Sequence, residues 1–183
     1  MTPTPDLVQL AKDIQQLKDL EAIKRVKYVY FRCIDTANIA ELREILDENI
    51  TASLQGGTYN IKLEGRDNYL EMIANSFHAK FVGHHNGHHP EIDFQSPTEA
   101  TGLWYLADTA LNLRDKISTV GTSFYRDKYV KKNGRWVIVH TGYERIFEIV
   151  EPMDKLPNLT AHLLAKTGRK EPTADVVKSF PKA

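Results

Sequence analysis

Four histidines fall within six residues in the run His84-His85-Asn86-Gly87-His88-His89-Pro90, and metal binding is the first chemistry to consider. On a helix, His84/His88 and His85/His89 would be paired ligands, but Gly87 and Pro90 disfavour a helix there. On a strand, His85 and His89 share a face yet stand about 13 Å apart, too far for one ion. No metal is therefore expected. Strand alternation sends His85 and His89 to one side and His84 and His88 to the other. It predicts that at least one histidine enters an interior pocket as a proton carrier; the alternative is that all four sit at the rim or surface.

A histidine that moves protons needs a carboxylate to hold its ring, and Asp35 is a candidate. It ends a long helical pattern, where an acid is unfavourable against the negative end of the helix dipole. Tyr30, five residues earlier, lies about 140° around the same helix and either lines a pocket or is a core aromatic. A second acid, Asp108, sits inside the strand-like run Gly102-Leu103-Trp104-Tyr105-Leu106-Ala107-Asp108, on the face of Trp104 and Leu106. Aspartate is a poor strand residue, so one in mid-run calls for a partner or a task. Arg145, with Tyr143 and Phe147 on its face, would pair with Asp108, bind a substrate carboxylate or carbonyl, or lie exposed at an edge.

The elements that carry these residues are legible in the spacing. Thr4-Pro5-Asp6 reads as a helix start, and Leu7, Leu10, Ile14, Leu17, Leu20 and Ile23 recur at alternating intervals of three and four. The pattern runs through Val26 and Tyr30 to Cys33 and Ile34. It predicts a helix to Asp35, bent near Asp19, lying on its own sheet or forming a short seam between subunits. A second helix is expected at 38–47. Gly56-Gly57, between ITASLQ and TYNIKLEG, predicts a hairpin whose glycines supply positive φ. Helical spacing returns from Arg66 to about His78. Four long strands follow at about 82–94, 98–114, 118–131 and 135–149, separated by Ser96-Pro97, Arg114-Asp115-Lys116 and Asn133-Gly134. This order describes an α+β domain over 1–150, a curved, mixed or antiparallel sheet covered by helices with a pocket between the layers. From Glu151 a proline- and lysine-rich tail follows, with LTAHLLAK as a short helix, wrapping a neighbour or staying mobile.

The 183 residues suit one domain, 42% hydrophobic and 26% charged. Lys plus Arg equals Asp plus Glu at 24 each, which argues against a nucleic-acid or anionic-membrane partner. The single cysteine, Cys33, excludes an intrachain disulfide and a multi-cysteine zinc site. Without a long apolar run or a basic start followed by an apolar stretch, neither a transmembrane span nor a Sec signal peptide is expected. A cytoplasmic location follows as an expectation.

The stretches LEAIKRVKYVYFRCID, GHHPEI, ATGLWYLAD and FYRDKYVKKNGRWVIVHTGYERIFE together resemble the SnoaL-like branch of the NTF2-like superfamily. Within it, the bacterial bile acid 7α-dehydratase family is the nearest resemblance; scytalone dehydratase and hexachlorocyclohexane dehydrochlorinase are more distant. The resemblance spans about 17–150 and implies a cone-shaped α+β barrel, a homo-oligomer (trimer favoured over dimer), and no cofactor or metal. It places the family's catalytic groups on Tyr30, Asp35, His85, Asp108 and Arg145, with His88 as a substitute or helper. The hairpin around Gly56-Gly57 and the segment 66–82 are less similar and would select the substrate.

The chemistry so implied is a cofactor-independent lyase, a dehydratase acting on a hydrophobic steroid-like or aromatic hydroxy compound. His85 would be general base and acid, Asp35 its orienting partner, and Tyr30 a donor to the substrate oxygen. Asp108 and Arg145 would hold the far polar end. Tyr59, Tyr69, Trp104 and Phe124, with His88, would contact a flat substrate. The same groups would serve a retro-aldol release of formaldehyde from an aryl propanediol, or a double-bond isomerisation. A non-catalytic binding domain is the alternative of another class.

Overall fold

Asp6 caps the first helix in the computed structural model of the chain, which describes residues 6–167; its carboxylate accepts the backbone N–H groups of Val8 and Gln9. The cap is thus Asp6, whereas the expected Thr4 and Pro5 lie outside the described residues. Helix α1 (Leu7–Asp35) runs unbroken. At Asp19 the helix is anchored: the buried carboxylate accepts Lys131 Nζ–H at 2.6 Å and Trp136 Nε1–H at 2.8 Å. Only from Asp19 onward does α1 lie on the sheet, its buried apolar face being Ile23, Val26, Tyr30, Cys33 and Ile34. The earlier turns project past the sheet, with Leu7 74% and Leu17 62% exposed, so the expected sheet-covering face begins about three turns late.

Helix α2 (Ile39–Ile45) is followed by β1 (Leu46–Gln55), β2 (Asn60–Glu64) and α3 (Arg66–Ser76), then by four long strands, β3 (Phe81–Ser96), β4 (Glu99–Asn112), β5 (Ile117–Lys132) and β6 (Arg135–Pro152). The sheet order is β2-β1-β6-β5-β4-β3, with β1 parallel to β6 and every other pair antiparallel. This is the expected α+β arrangement, with α1 and α3 on the concave face of a curved mixed sheet. Asn133 and Gly134 take φ values of 52° and 77°, as an Asn-Gly hairpin turn requires. The Gly56-Gly57 hairpin forms for another reason. Neither glycine has positive φ; a Cβ on Gly56 would stand 2.2 Å from the Tyr59 ring, which folds back over the turn.

Two bulges redirect side chains. In β3 the register to β4 slips by one residue between His88 and Glu91, where His89 takes a φ of 50°. His85 and Gly87 face inward before the slip, Ile92 and Phe94 after it. His85 and His89 therefore do not share a face, and His89 is exposed. In β6 an extra residue at Ile146 separates the pairs Ser123↔Arg145 and Thr122↔Phe147. Phe147 is thereby turned out to solvent, away from Tyr143 and Arg145, and Glu148 takes the inward position.

After β6, Met153 N–H donates to the Lys116 carbonyl and a helical turn α4 (Leu163–Lys166) buries Leu164. The tail beyond 167, to which a wrapping or mobile role is assigned above, lies outside the described residues.

Candidate active site

Between α1, α3 and the concave sheet face lies a cavity of about 450 Å³. Asp35 stands behind its wall at the last position of α1, where the dipole argument makes an unpartnered acid unfavourable. Its partner is His85. One carboxylate oxygen lies 2.6 Å from His85 Nδ1 and the other accepts the His85 backbone N–H at 3.0 Å. A carboxylate only accepts, so Nδ1 carries the proton and Nε2 presents a lone pair. Among the described residues no protein group is hydrogen-bonded to Nε2, and the His85 side chain lines the cavity. Phe31 stacks on the ring at 6.4 Å and Phe77 tilts against it at 5.8 Å. The Phe31 ring fits only because Gly87 lacks a side chain: a Cβ there would meet it at 1.9 Å.

Three phenols converge on one cavity wall. Tyr30 Oη lies 2.5 Å from Tyr69 Oη and 3.4 Å from Tyr125 Oη. Burial pushes the Tyr30 hydroxyl up to about 12 and those of Tyr69 and Tyr125 well above their ordinary value, so all three remain protonated donors at neutral pH. Beneath them lies the fully buried Lys27, its Nζ 4.1 Å from the Tyr30 ring centre and 3.7 Å from that of Tyr125. Burial lowers this ammonium to about 8 against the opposing pull of Asp127, 2.8 Å away. Asp127 also accepts Tyr129 Oη and Thr141 Oγ1, so the carboxylate is satisfied, while the ammonium rests on the ion pair and the ring faces without an aligned hydrogen bond.

The part of the cavity on the strands beside His85 is ionic. Asp108 stands directly opposite His85 in the β3–β4 pairing. Its carboxylate takes both terminal nitrogens of Arg145, Nη1 to Oδ1 and Nη2 to Oδ2 at 2.9 Å. Burial works against the guanidinium's charge, but the hydrogen bonds and charge of Asp108 outweigh it and push Arg145 upward. Arg145 Nε donates to Glu148 at 3.0 Å, and Glu148 also accepts the Gly57 backbone N–H. Tyr59 and Tyr143 join hydroxyls at 2.5 Å over the same end; burial raises both.

Tyr30, His85, Asp108, Arg145, Tyr59 and Tyr69 thus line one cavity, with Asp35 bonded behind His85. Three expected contacts do not. Trp104 is core, its indole N–H donating to Tyr129 Oη at 3.0 Å. His88 and Phe124 have the opposite strand parity to His85 and Tyr125 and pack on either side of Tyr105 on the outer face. His88 Nδ1 lies 2.6 Å from His89 Nδ1. Tyr125 and Tyr143, which the sequence reading passed over as site residues, line the cavity, as does Glu148. Strand parity with Ser123 and with Arg145 could have found the two tyrosines; Glu148 was hidden by the bulge. Among the described residues no group of three or more His, Cys, Asp or Glu is placed to hold a metal ion, and no helix is long and apolar enough to cross a membrane.

The model of the SnoaL-like domain matches residues 15–142. A protein of Novosphingobium aromaticivorans, assigned provisionally as a scytalone dehydratase, superposes with a TM-score of 0.66 at 20% identity, over 79% of this chain and 99% of that one. The type 3 hexachlorocyclohexane dehydrochlorinase LinA of Novosphingobium barchaimii gives 0.69 at 15% identity, over 81% and 99%. An NTF2-like protein with a cystatin-like fold, also from N. aromaticivorans, gives 0.62 at 16% identity, over 79% and 92%. At such identities the likeness concerns the fold.

Proposed function

Since the chain belongs to the SnoaL-like domain family, and since its cavity holds an oriented histidine, we propose that it is a lyase needing no cofactor, a dehydratase acting on a hydroxylated aromatic or steroid-like compound. The observation that carries this reading is the Asp35–His85 pair, whose free Nε2 faces a half-enclosed cavity walled by phenols. A binding module has no use for a polarised pair in such a place. The names of two fold relatives, a dehydratase and a dehydrochlorinase, support the lyase class.

His85 Nε2 takes a proton from the carbon next to a carbonyl, and the electron pair moves onto the carbonyl oxygen. Tyr30, backed by Tyr69 and Tyr125, donates to that developing enolate. As the enolate collapses, a carbon–carbon double bond forms and the hydroxyl on the next carbon leaves. The imidazolium returns its proton to that hydroxyl, so one water departs and His85 is neutral again. Asp35 accepts the imidazolium Nδ1–H and the His85 backbone N–H throughout. Positioned proton transfer of this kind is worth about 10²–10⁴-fold. The cavity's size falls within the range of small-molecule sites, and the rings of Tyr59, Tyr69, Phe77 and Phe81 suit a flat substrate.

The test is mass spectrometry of a panel of hydroxylated steroids and aryl diols incubated with the purified protein and with a folded His85→Ala variant. Loss of one water, seen with the wild type and absent with the variant, is expected. Loss of formaldehyde would replace dehydration by carbon–carbon cleavage with the same base. Identical turnover by the variant would overturn the role of His85.

A further inference from the structure

We infer that Glu148 sets the specificity of the cavity's ionic end, making it a site for an uncharged hydroxylated group and closing it to a carboxylate. The inference rests on the reading of this cavity as the substrate site. Arg145 alone would be an anion receptor, and the sequence leaves open that it binds a substrate carboxylate. The structure hands the guanidinium to the protein instead. Nε donates to Glu148 at 3.0 Å, Nη1 to Asp108 and to Ser123 Oγ at 3.3 Å, and Nη2 to Asp108 at 2.9 Å. Four of its five N–H groups are engaged.

Charge decides the rest. Arg145 is the single Lys or Arg among the described lining residues, and it faces two carboxylates whose side chains are only 6% and 9% exposed. Asp35 adds a third behind His85. With His85 neutral, an incoming carboxylate would meet net negative charge in a half-enclosed, poorly screened space. What the end offers is acceptor capacity. Each oxygen of Asp108 and Glu148 accepts one hydrogen bond from Arg145 or Gly57 and retains a lone pair. The joined hydroxyls of Tyr59 and Tyr143 add further donors and acceptors beside them. A phenol or a diol satisfies this set by donating O–H groups; a carboxylate cannot donate. The bulge at Ile146 is what makes Glu148 part of the set.

Glu148→Gln isolates the charge. The amide oxygen can still accept Gly57 N–H, while its NH₂ cannot accept from Arg145 Nε, so one anion is removed and one guanidinium donor is released. The probes are a matched pair, 1-(2-naphthyl)ethane-1,2-diol and 2-naphthylglycolate, measured by titration calorimetry at pH 7. The wild type should bind the diol roughly tenfold or more tightly than the glycolate, because like-charge juxtaposition is strongly penalised. Glu148→Gln should shrink that ratio by about fivefold or more, chiefly by tightening the glycolate. Failure of the diol to bind, equal or tighter binding of the glycolate by the wild type, or an unchanged ratio in a folded variant would each overturn the inference. The wild-type comparison stands alone if the variant does not fold. Equilibrium binding needs no turnover, so failure of the dehydratase assignment would leave these affinities as they are.

Discussion

Replacing Asp35 by Asn keeps the shape of the side chain and removes its ability to accept two hydrogen bonds from one neighbour. The wild-type carboxylate receives both His85 Nδ1–H, at 2.6 Å, and His85 backbone N–H, at 3.0 Å. An amide has one oxygen. If that oxygen keeps the ring N–H, the amide NH₂ faces the backbone N–H, leaving a partly buried donor unsatisfied at about 1–3 kcal/mol. If the oxygen keeps the backbone N–H, the NH₂ donates to Nδ1 and every bond is restored, provided the ring proton moves to Nε2. The second arrangement is favoured by the same 1–3 kcal/mol, about 5- to 150-fold. Nε2 then carries a proton and can no longer act as a base, which should cost about 10²–10⁴ in turnover. The tautomer is readable without substrate, by long-range ¹H–¹⁵N correlation of the His85 ring. The wild type should show protonated Nδ1 and bare Nε2, and Asp35→Asn the reverse. A bare Nε2 in the variant, or a protonated one in the wild-type neutral ring, would refute the reasoning.

Two further outcomes follow from packing and burial. Gly87→Ala places a Cβ within 1.9 Å of Phe31, the ring that backs His85. Overpacking of this kind costs about 1–3 kcal/mol and should lower Tm by about 2–12 °C, with Phe31→Leu in the same chain recovering most of the loss. An unchanged Tm would show that the ring has room to move. Alkaline pH tests the phenols. Tyr30, Tyr69, Tyr125, Tyr129 and Tyr143 are all raised by burial, so between pH 10 and 12 the unfolded chain loses protons the native state keeps. Stability present below pH 10 is then lost, by about 1.4 kcal/mol per tyrosine per pH unit. Lys27, lowered from 10.5 to about 8, acts in the opposite sense only between those values and is one group against the tyrosines. The urea midpoint should therefore fall between pH 10 and 11, and a rise would contradict the protonated phenol cluster.

The sequence alone determined the elements and much of the site's membership. Alternating intervals of three and four define α1, the Asn133-Gly134 turn divides β5 from β6, and an acid at a helix C-terminus called for a cationic or proton-bearing partner. Neutral charge and a lone cysteine narrowed the chemistry before any fold was considered. These features are legible because they are local: periodicity, capping and turn conformation depend on residues a few positions apart.

Tertiary structure decided which way the strands face beyond their bulges, and with that the occupants of the cavity. Parity counted along β6 places Phe147 beside Arg145, and one extra residue at Ile146 gives that position to Glu148. Parity counted along β3 pairs His85 with His89, and the slip after His88 leaves His85 inside and His89 in solvent. Trp104 has the inward parity expected of it but is buried in the core, because α1 and Tyr129 cover it. A bulge arises from how one strand must twist to stay paired with its neighbour across a curved sheet. That requirement comes from residues far away in the chain, so no window of sequence contains it.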